Sequence, residues 1–362
     1  MKYIDGFRNS ETEVAISRQI NELGSRLGRK LTIMEVCGTH TMSIAKFAIR
    51  DLLPENIRLV SGPGCPVCVT PQGYIDTALE LAMSGRIIVT FADMMNVPGT
   101  KSSLSSIRSS GARIESCYSP EIAVEIAEKN PDAEVVFLGV GFETTIAPAI
   151  SVIPCASVKR TSNISILSSF KLIPPAMEAL AADRELGIDA FLCPAHVSAI
   201  IGADAYKPFV SKYHRPCVIA GFESLDILSG IRSIVMQALA GEARVENNYS
   251  RVVRDEGNPK AWSVISKYLE PSDAYWRGIG IIPGSGMSLK KDFAEFDAEK
   301  RFGLTIVNEK EKKGCRCGDV LKGKIVPSEC PLFAAKCNPS SPVGPCMVSS
   351  EGTCAAYYKY SK

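Results

Sequence analysis

Val14, Ile16, Ile20 and Leu23 fall on one side of a helix drawn over residues 10–28, an amphipathic stripe meant to pack on something larger. Short apolar runs then alternate with stretches of helical period. Residues 31–36, 57–61, 86–91 and 113–117 read as strands. Between them, 41–53 has a helical pattern, and Thr70 followed by Pro71 is the signature of a helix start running to about Met83. Residues 120–129 are helical as well. The rhythm then restarts: 134–139, 164–168, 190–193 and 217–221 are strand-like, with helical segments between.

Strands that alternate with helices predict parallel sheets of the doubly wound kind. The count predicts an α/β chain with two such domains, over 29–130 and 131–235, preceded by the helix of 1–28 and followed by a C-terminal domain over 236–362. From about Ala240 the pattern turns helical and irregular, and 283–288 reads as a Gly/Ser turn.

Composition changes the picture in one respect only. The 362 residues carry 46% hydrophobic and 22% charged residues and a net charge of +2, so neither a nucleic-acid footprint nor a disordered chain is indicated. No apolar run approaches the ~20 residues of a membrane span. Residues 1–14 are polar and lack the core of a signal peptide, so a cytoplasmic location is expected. Cysteine is the exception: 13 of them, against only three histidines. In a reducing compartment an odd set of thiols points to metal or thiol chemistry rather than disulfides.

Six of these cysteines crowd into 314–354 with five prolines and five glycines: Cys315, Cys317, Cys330, Cys337, Cys346 and Cys354. Such a segment holds no long helix or central strand and has few large aliphatics for a core. A bound metal would order it. The paired Cys-x₂₋₄-Cys of structural zinc is absent, and so is the closely spaced ferredoxin run. Spacing leaves zinc and an iron–sulfur cluster both open. Four thiolates serve either, and Cys317 and Cys346 could then form a dithiol beside the metal.

Two motifs near the N-terminus each follow a strand, where parallel sheets place ligands. In Glu35-Val36-Cys37-Gly38-Thr39-His40-Thr41, Cys37 stands at a helix start, which is expected to lower its thiol pKa, and His40 follows three residues on. Together they could hold one soft or borderline ion; otherwise Cys37 is a small core residue and His40 a cap. In Gly62-Pro63-Gly64-Cys65-Pro66-Val67-Cys68, a dithiol sits in a rigid loop expected to expose its sulfurs. The competing reading, half of a zinc site, lacks a second pair. Two motifs after successive strands would face one another, placing three thiols and an imidazole around one crevice.

Other signals are weaker. The loop 139–145 lacks the ending of a phosphate loop, and Glu143 would repel phosphate. His196, in Cys193-Pro194-Ala195-His196, could point into the same cleft or be structural. Cys117, Cys155, Cys193 and Cys217 read as core residues and His214 as a surface residue. No Ser–His–Asp arrangement is present.

Cys-Gly-Thr-His-Thr at 37–41, Gly-Pro-Gly-Cys-Pro-Val-Cys at 62–68, Gly-Phe-Glu-Thr-Thr at 141–145 and the six-cysteine tail, in this order, resemble the HypD family of hydrogenase maturation proteins from about residue 30 to the C-terminus. The resemblance implies two similar α/β domains and a third with a [4Fe–4S] cluster. The family's ligand spacing, with 14, 6 and 16 residues between successive cysteines, falls on Cys315, Cys330, Cys337 and Cys354. It implies a scaffold that works with a small HypC-type partner and holds iron while an Fe(CN)₂CO unit is built, with cyanide delivered by a HypE-type partner. The finished unit goes to the large subunit of a nickel–iron hydrogenase. Cys37 would then ligate the iron, with His40 as a ligand or support, and the Cys65/Cys68 dithiol would supply electrons for cyanide release. Two other expectations stand beside it. One is a stand-alone iron–sulfur thiol–disulfide oxidoreductase; the other is a metabolic α/β enzyme with a structural zinc tail.

Overall fold

Alternation along the strands explains the layers. Ile87 and Val89 turn to one core and Ile88 to another, as do Val135 and Phe137 against Val136 and Leu138. Strands buried on both faces need such continuous apolar runs, and helices must cover both sides. In the computed structural model, which describes residues 10–307 and 314–360, these runs form two sheets. The polar residues 1–9, part of the segment read for a leader, lie outside the described residues.

The strands are β1 (Leu31–Glu35), β2 (Ile57–Ser61), β3 (Ile87–Phe91), β4 (Ile114–Cys117), β5 (Val135–Gly141), β6 (Ile164–Lys171), β7 (Ala190–Pro194), β8 (Cys217–Ala220), β9 (Val245–Asn247), β10 (Leu269–Trp276) and β11 (Gly280–Leu289). The first sheet has the order β2-β1-β7-β8-β9 and is parallel throughout. The second has the order β10-β11-β6-β5-β3-β4. It is parallel from β4 to β6 and antiparallel at β11 and β10.

The α/β class is as expected; the partition is not. Neither sheet respects a boundary at 130 or 235. The central pairing of the first sheet joins Ile33 to Ala190 and Glu35 to Leu192. The chain crosses from the first sheet to the second after β2, back after β6, and over again after β9. Hydrophobic period identifies a strand but not its neighbour, and parallel neighbours can lie far apart in sequence. The stretch 236–362 is likewise no separate unit, because its hairpin β10–β11 extends the second sheet along β6. The Gly/Ser turn read at 283–288 is part of β11. Pro271 and Pro283 hid this hairpin. They are tolerated because β11 meets β6 only at Gly286 and Met287, and because β10 is irregular between Ser272 and Ala274.

Helix Ser10–Ser25 packs its Ile16, Ile20 and Leu23 against the core of the first sheet and helix Ser224–Ala240, while Val14 stays exposed. Helix Gln72–Met83 starts one residue later than read. Pro71 occupies the cap position, and the Thr70 hydroxyl instead donates to the Pro66 carbonyl at 2.8 Å. Among the described residues no helix is long and apolar enough to cross a membrane.

Candidate functional site

A cleft of about 440 Å³ opens where the carboxyl ends of the two sheets meet. Its wall takes residues from the ends of β1 (Cys37, Thr39), β2 (Gly64, Pro66, Val67) and β7 (His196, Val197) in the first sheet. From the second it takes the ends of β3 (Asp93, Met94), β4 (Cys117, Tyr118) and β5 (Phe142, Thr144, Thr145). Glu351 reaches in from the cysteine-rich tail. Six strand ends around one crevice are the parallel-sheet rule applied twice.

Cys37 is placed by close backbone packing. The Gly38 N–H donates to the Gly64 carbonyl at 2.9 Å, and a Cβ on Gly64 would stand 2.2 Å from the Cys37 nitrogen. Only glycine lets these loops touch. Buried Glu35 accepts the Cys37 N–H at 3.0 Å and the Thr41 hydroxyl at 2.5 Å. Glu351 packs on Gly38, where a Cβ would come within 2.4 Å of its own Cβ, and it accepts the Thr39 hydroxyl at 3.0 Å.

The expected low thiol pKa is overturned. Burial pushes Cys37 up to about 12. The backbone N–H groups of His40 and Thr39 pull it down, but the charges of Glu35 and Glu351 oppose them. The helix-start effect is real and smaller than desolvation among carboxylates. Burial also raises Asp93 and Glu351, and the Asp93 charge adds to the rise at Glu351. His196 is lowered by burial. Burial in the cleft thus disfavours the charged form of each of these groups.

His40 does not line this cleft. Its Nε2 lies 3.1 Å from the Ala220 carbonyl and 2.9 Å from that of Gly221, and its ring packs against Phe222. Burial pulls its pKa down to about 4. It fastens the Cys37 loop to the end of β8, while His196 holds the cleft position. Glu143 is likewise behind the wall. Its Oε1 accepts the Ile173 N–H at 2.9 Å, and burial pushes its pKa up to about 7.

Cys65 and Cys68 are not exposed; they are 3% and 0% accessible. Cys65 caps the short helix Pro66–Val69, its sulfur accepting the Cys68 N–H at 3.2 Å. Their neighbours Gly64, Pro66 and Val67 face the cleft, while the Cys68 thiol turns the other way, into contact with Cys346. Cys346 in turn contacts Cys317 and Cys354, and Cys317 contacts Cys315. Of the three thiols expected around the crevice only Cys37 lines the cleft, where Cys117 joins it from β4, and a line of sulfurs runs behind it from the Cys65/Cys68 pair into the tail.

That line ends in a second, more closed pocket. Cys315, Cys317, Cys330, Cys337, Cys346 and Cys354 line it with Val320, Leu332, Phe333 and Met347. A Cβ on Gly344 would stand 2.9 Å from the Cys315 sulfur and 3.7 Å from that of Cys317, so the wall is cut to fit sulfur. An all-thiol donor set in an apolar shell suits iron–sulfur clusters or another thiophilic metal. None of the six is in a disulfide, and among the described residues no three His, Cys, Asp or Glu side chains are arranged to hold a single ion.

Asp93, Glu351, Cys117 and Tyr118 were missed in the sequence. Asp93 follows β3 and Tyr118 follows β4, so the strand-end rule could have found them; Cys117, the last residue of β4, had been read as core. Glu351 comes from an irregular segment with no such signal.

The sequence model of the family HypD, described as hydrogenase formation hypA family, matches residues 11–361. The chain is 44% identical to the hydrogenase maturation factor HypD of Azotobacter vinelandii, over 100% of this chain and 97% of that protein. It is 43% identical to HypD of Escherichia coli strain K12, covering 99% and 98%. It is 42% identical to HypD of Cupriavidus necator, covering 100% and 98%.

Proposed function

The chain belongs to the HypD family, and from that premise we propose that it is the scaffold on which, with a HypC-type partner, the Fe(CN)₂CO unit of a nickel–iron hydrogenase is assembled. The observation that carries this reading is the Cys37 thiol, set at the end of β1 in a cleft that it shares with the carboxyl groups of Asp93 and Glu351 and the imidazole of His196. Iron arrives as cargo and must leave again. One thiolate from this chain and one from the partner hold it firmly enough to be modified and loosely enough to be passed on. Cys37 is a thiol until the cation arrives, so binding releases a proton. His196, Asp93 and Glu351 are the groups at hand to take it.

Cyanide carried by a HypE-type partner as a thiocyanate must be released by reduction. The carbon–sulfur bond breaks, the partner's sulfur leaves as a thiol, and cyanide passes to the iron. Cys65 and Cys68 supply the two electrons by forming a disulfide, and of their two protons one goes to the departing sulfur and one to solvent. Cys68 touches Cys346, so thiol–disulfide exchange can carry the oxidation to the Cys317/Cys346 pair, which the contact between those sulfurs favours.

Cys315, Cys330, Cys337 and Cys354 would hold a [4Fe–4S] cluster, which when bound supplies single electrons beside that pair. The lining of the pocket by sulfur and apolar side chains supports this assignment.

The test replaces Cys65 and Cys68 together by Ala and measures cyanide on the iron of the complex with the HypC-type partner. We expect the complex to form with iron but without cyanide. Normal cyanylation at the normal rate would overturn the role of the dithiol.

A further inference from the structure

Arg277 lies in the turn of the β10–β11 hairpin and is 2% exposed. Its backbone N–H donates to the Val69 carbonyl at 2.9 Å, and its Nη2 donates to the Gln72 Oε1 at 3.4 Å. Its Nε and Nη1 have no hydrogen-bond partner among the described residues, and no carboxylate there pairs with it. Burying a guanidinium without an opposite charge is costly. The fold nevertheless holds it firmly. Trp276 stacks on Phe142 with ring centres 5.7 Å apart, and Gly278 lies so close to Gly318 that a Cβ there would meet it at 2.9 Å. Gly318 belongs to the helix that begins at Cys317, so the turn is clamped against the sulfur pocket. Gly278 and Cys315 line one shallow cavity, so Arg277 is one residue from the edge of the sulfur pocket.

We infer that Arg277 is the charge partner of the sulfur pocket, its free N–H groups and positive charge serving an anionic iron–sulfur cluster held by Cys315, Cys330, Cys337 and Cys354. This rests on the cluster assignment made above. Each electron added makes a thiolate-bound cluster more negative, so a fixed positive charge favours the reduced form and raises the potential. The backbone N–H of the same residue holds the end of the Cys65/Cys68 helix at Val69, a bond that every side-chain variant at this position keeps.

The test purifies the full-length wild type, Arg277→Gln, Arg277→Met and Arg277→Lys anaerobically. Iron and sulfide per chain are measured, then the cluster is titrated by electron paramagnetic resonance at set potentials. We expect cluster in all four. At the wild-type midpoint the reduced-to-oxidised ratio of the neutral variants should fall about tenfold, equivalent to about 59 mV for one electron. Lysine should recover most of it. Loss of the cluster in the neutral variants with normal loading in Arg277→Lys would also support the inference, since only charge separates them. Loaded neutral variants with the wild-type potential would overturn it, and so would loss of the cluster in the lysine variant as well, which would make the role purely structural. A wild-type chain without iron or sulfide would instead overturn the cluster assignment, and this inference with it.

Discussion

Around Cys37 two thiols, its own and that of Cys117, share a wide cleft with an imidazole, two carboxyl groups and three threonines, whereas the six thiols between Cys315 and Cys354 share a tighter pocket walled by sulfur and apolar side chains. The two regions are built from different parts of the chain. The cleft is made by strand ends of two sheets. The pocket is made by short helices, turns and prolines, with little apolar core of its own. A mixed, open site suits a guest that comes and goes; a closed, single-donor site suits one that stays. The Cys65/Cys68 pair lies where the two meet, its flanking residues in one wall and its Cys68 sulfur against the other.

The largest effect should come from breaking the closed site. Cys354→Ser is expected to remove the bound iron and sulfide, open the tail to limited proteolysis and abolish hydrogenase maturation. Iron analysis and a protease time course check this; a tail that stays protected without iron would show that it folds on its own.

Cys37→Ala should abolish maturation as completely but leave the scaffold nearly untouched. We expect a stability change of about 1 kcal/mol or less and an unaltered sulfide content. Thermal unfolding beside a hydrogenase activity assay separates the two regions. Loss of the tail's iron in this variant would erase the distinction drawn here.

A smaller effect sharpens the electrostatics of the open site. The Glu351 charge helps hold the Cys37 thiol up, so Glu351→Gln should let it fall below about 12. Alkylation of the full-length chain across a pH series should then show its Cys37 midpoint moved to lower pH. A midpoint moved up, or not at all, would mean that burial alone sets this thiol.

The smallest effect on maturation should come from Lys171, which touches neither region. It is 2% exposed, its amine donates only to Ser169 among the described residues at 2.8 Å, and burial pulls its pKa down to about 7. The unfolded chain binds this proton up to the ordinary lysine range near pH 10.5, while the folded chain releases it near 7. Stability from this group therefore rises with pH across that window. Lys171→Met should remove that rise and stabilise the protein at neutral pH by about 1–2 kcal/mol, read from chemical denaturation at several pH values. Unchanged or lower stability would mean that the amine is satisfied in some other way.

Much of the cleft could be read in the sequence because it rests on local signals. β1 and β2 are apolar runs that end in glycine-rich loops, and Cys37 follows directly. What could not be read depends on distant pairing. β1 lies beside β7, so His196 rather than His40 enters the cleft, and no periodicity links residues 33 and 190. Buried thiols at 65 and 68 were read as exposed because a Pro/Gly loop usually is; here the tail covers them through Cys346. Glu351 and Arg277 matter through packing that only the folded tail and hairpin create.

The most direct test of the central claim is an infrared spectrum of the full-length chain purified anaerobically with its HypC-type partner, wild type beside Cys37→Ala. The account predicts bands of metal-bound cyanide and carbon monoxide in the wild type and none in the variant. Identical bands in both would contradict it, because the iron unit would then be held somewhere other than the cleft.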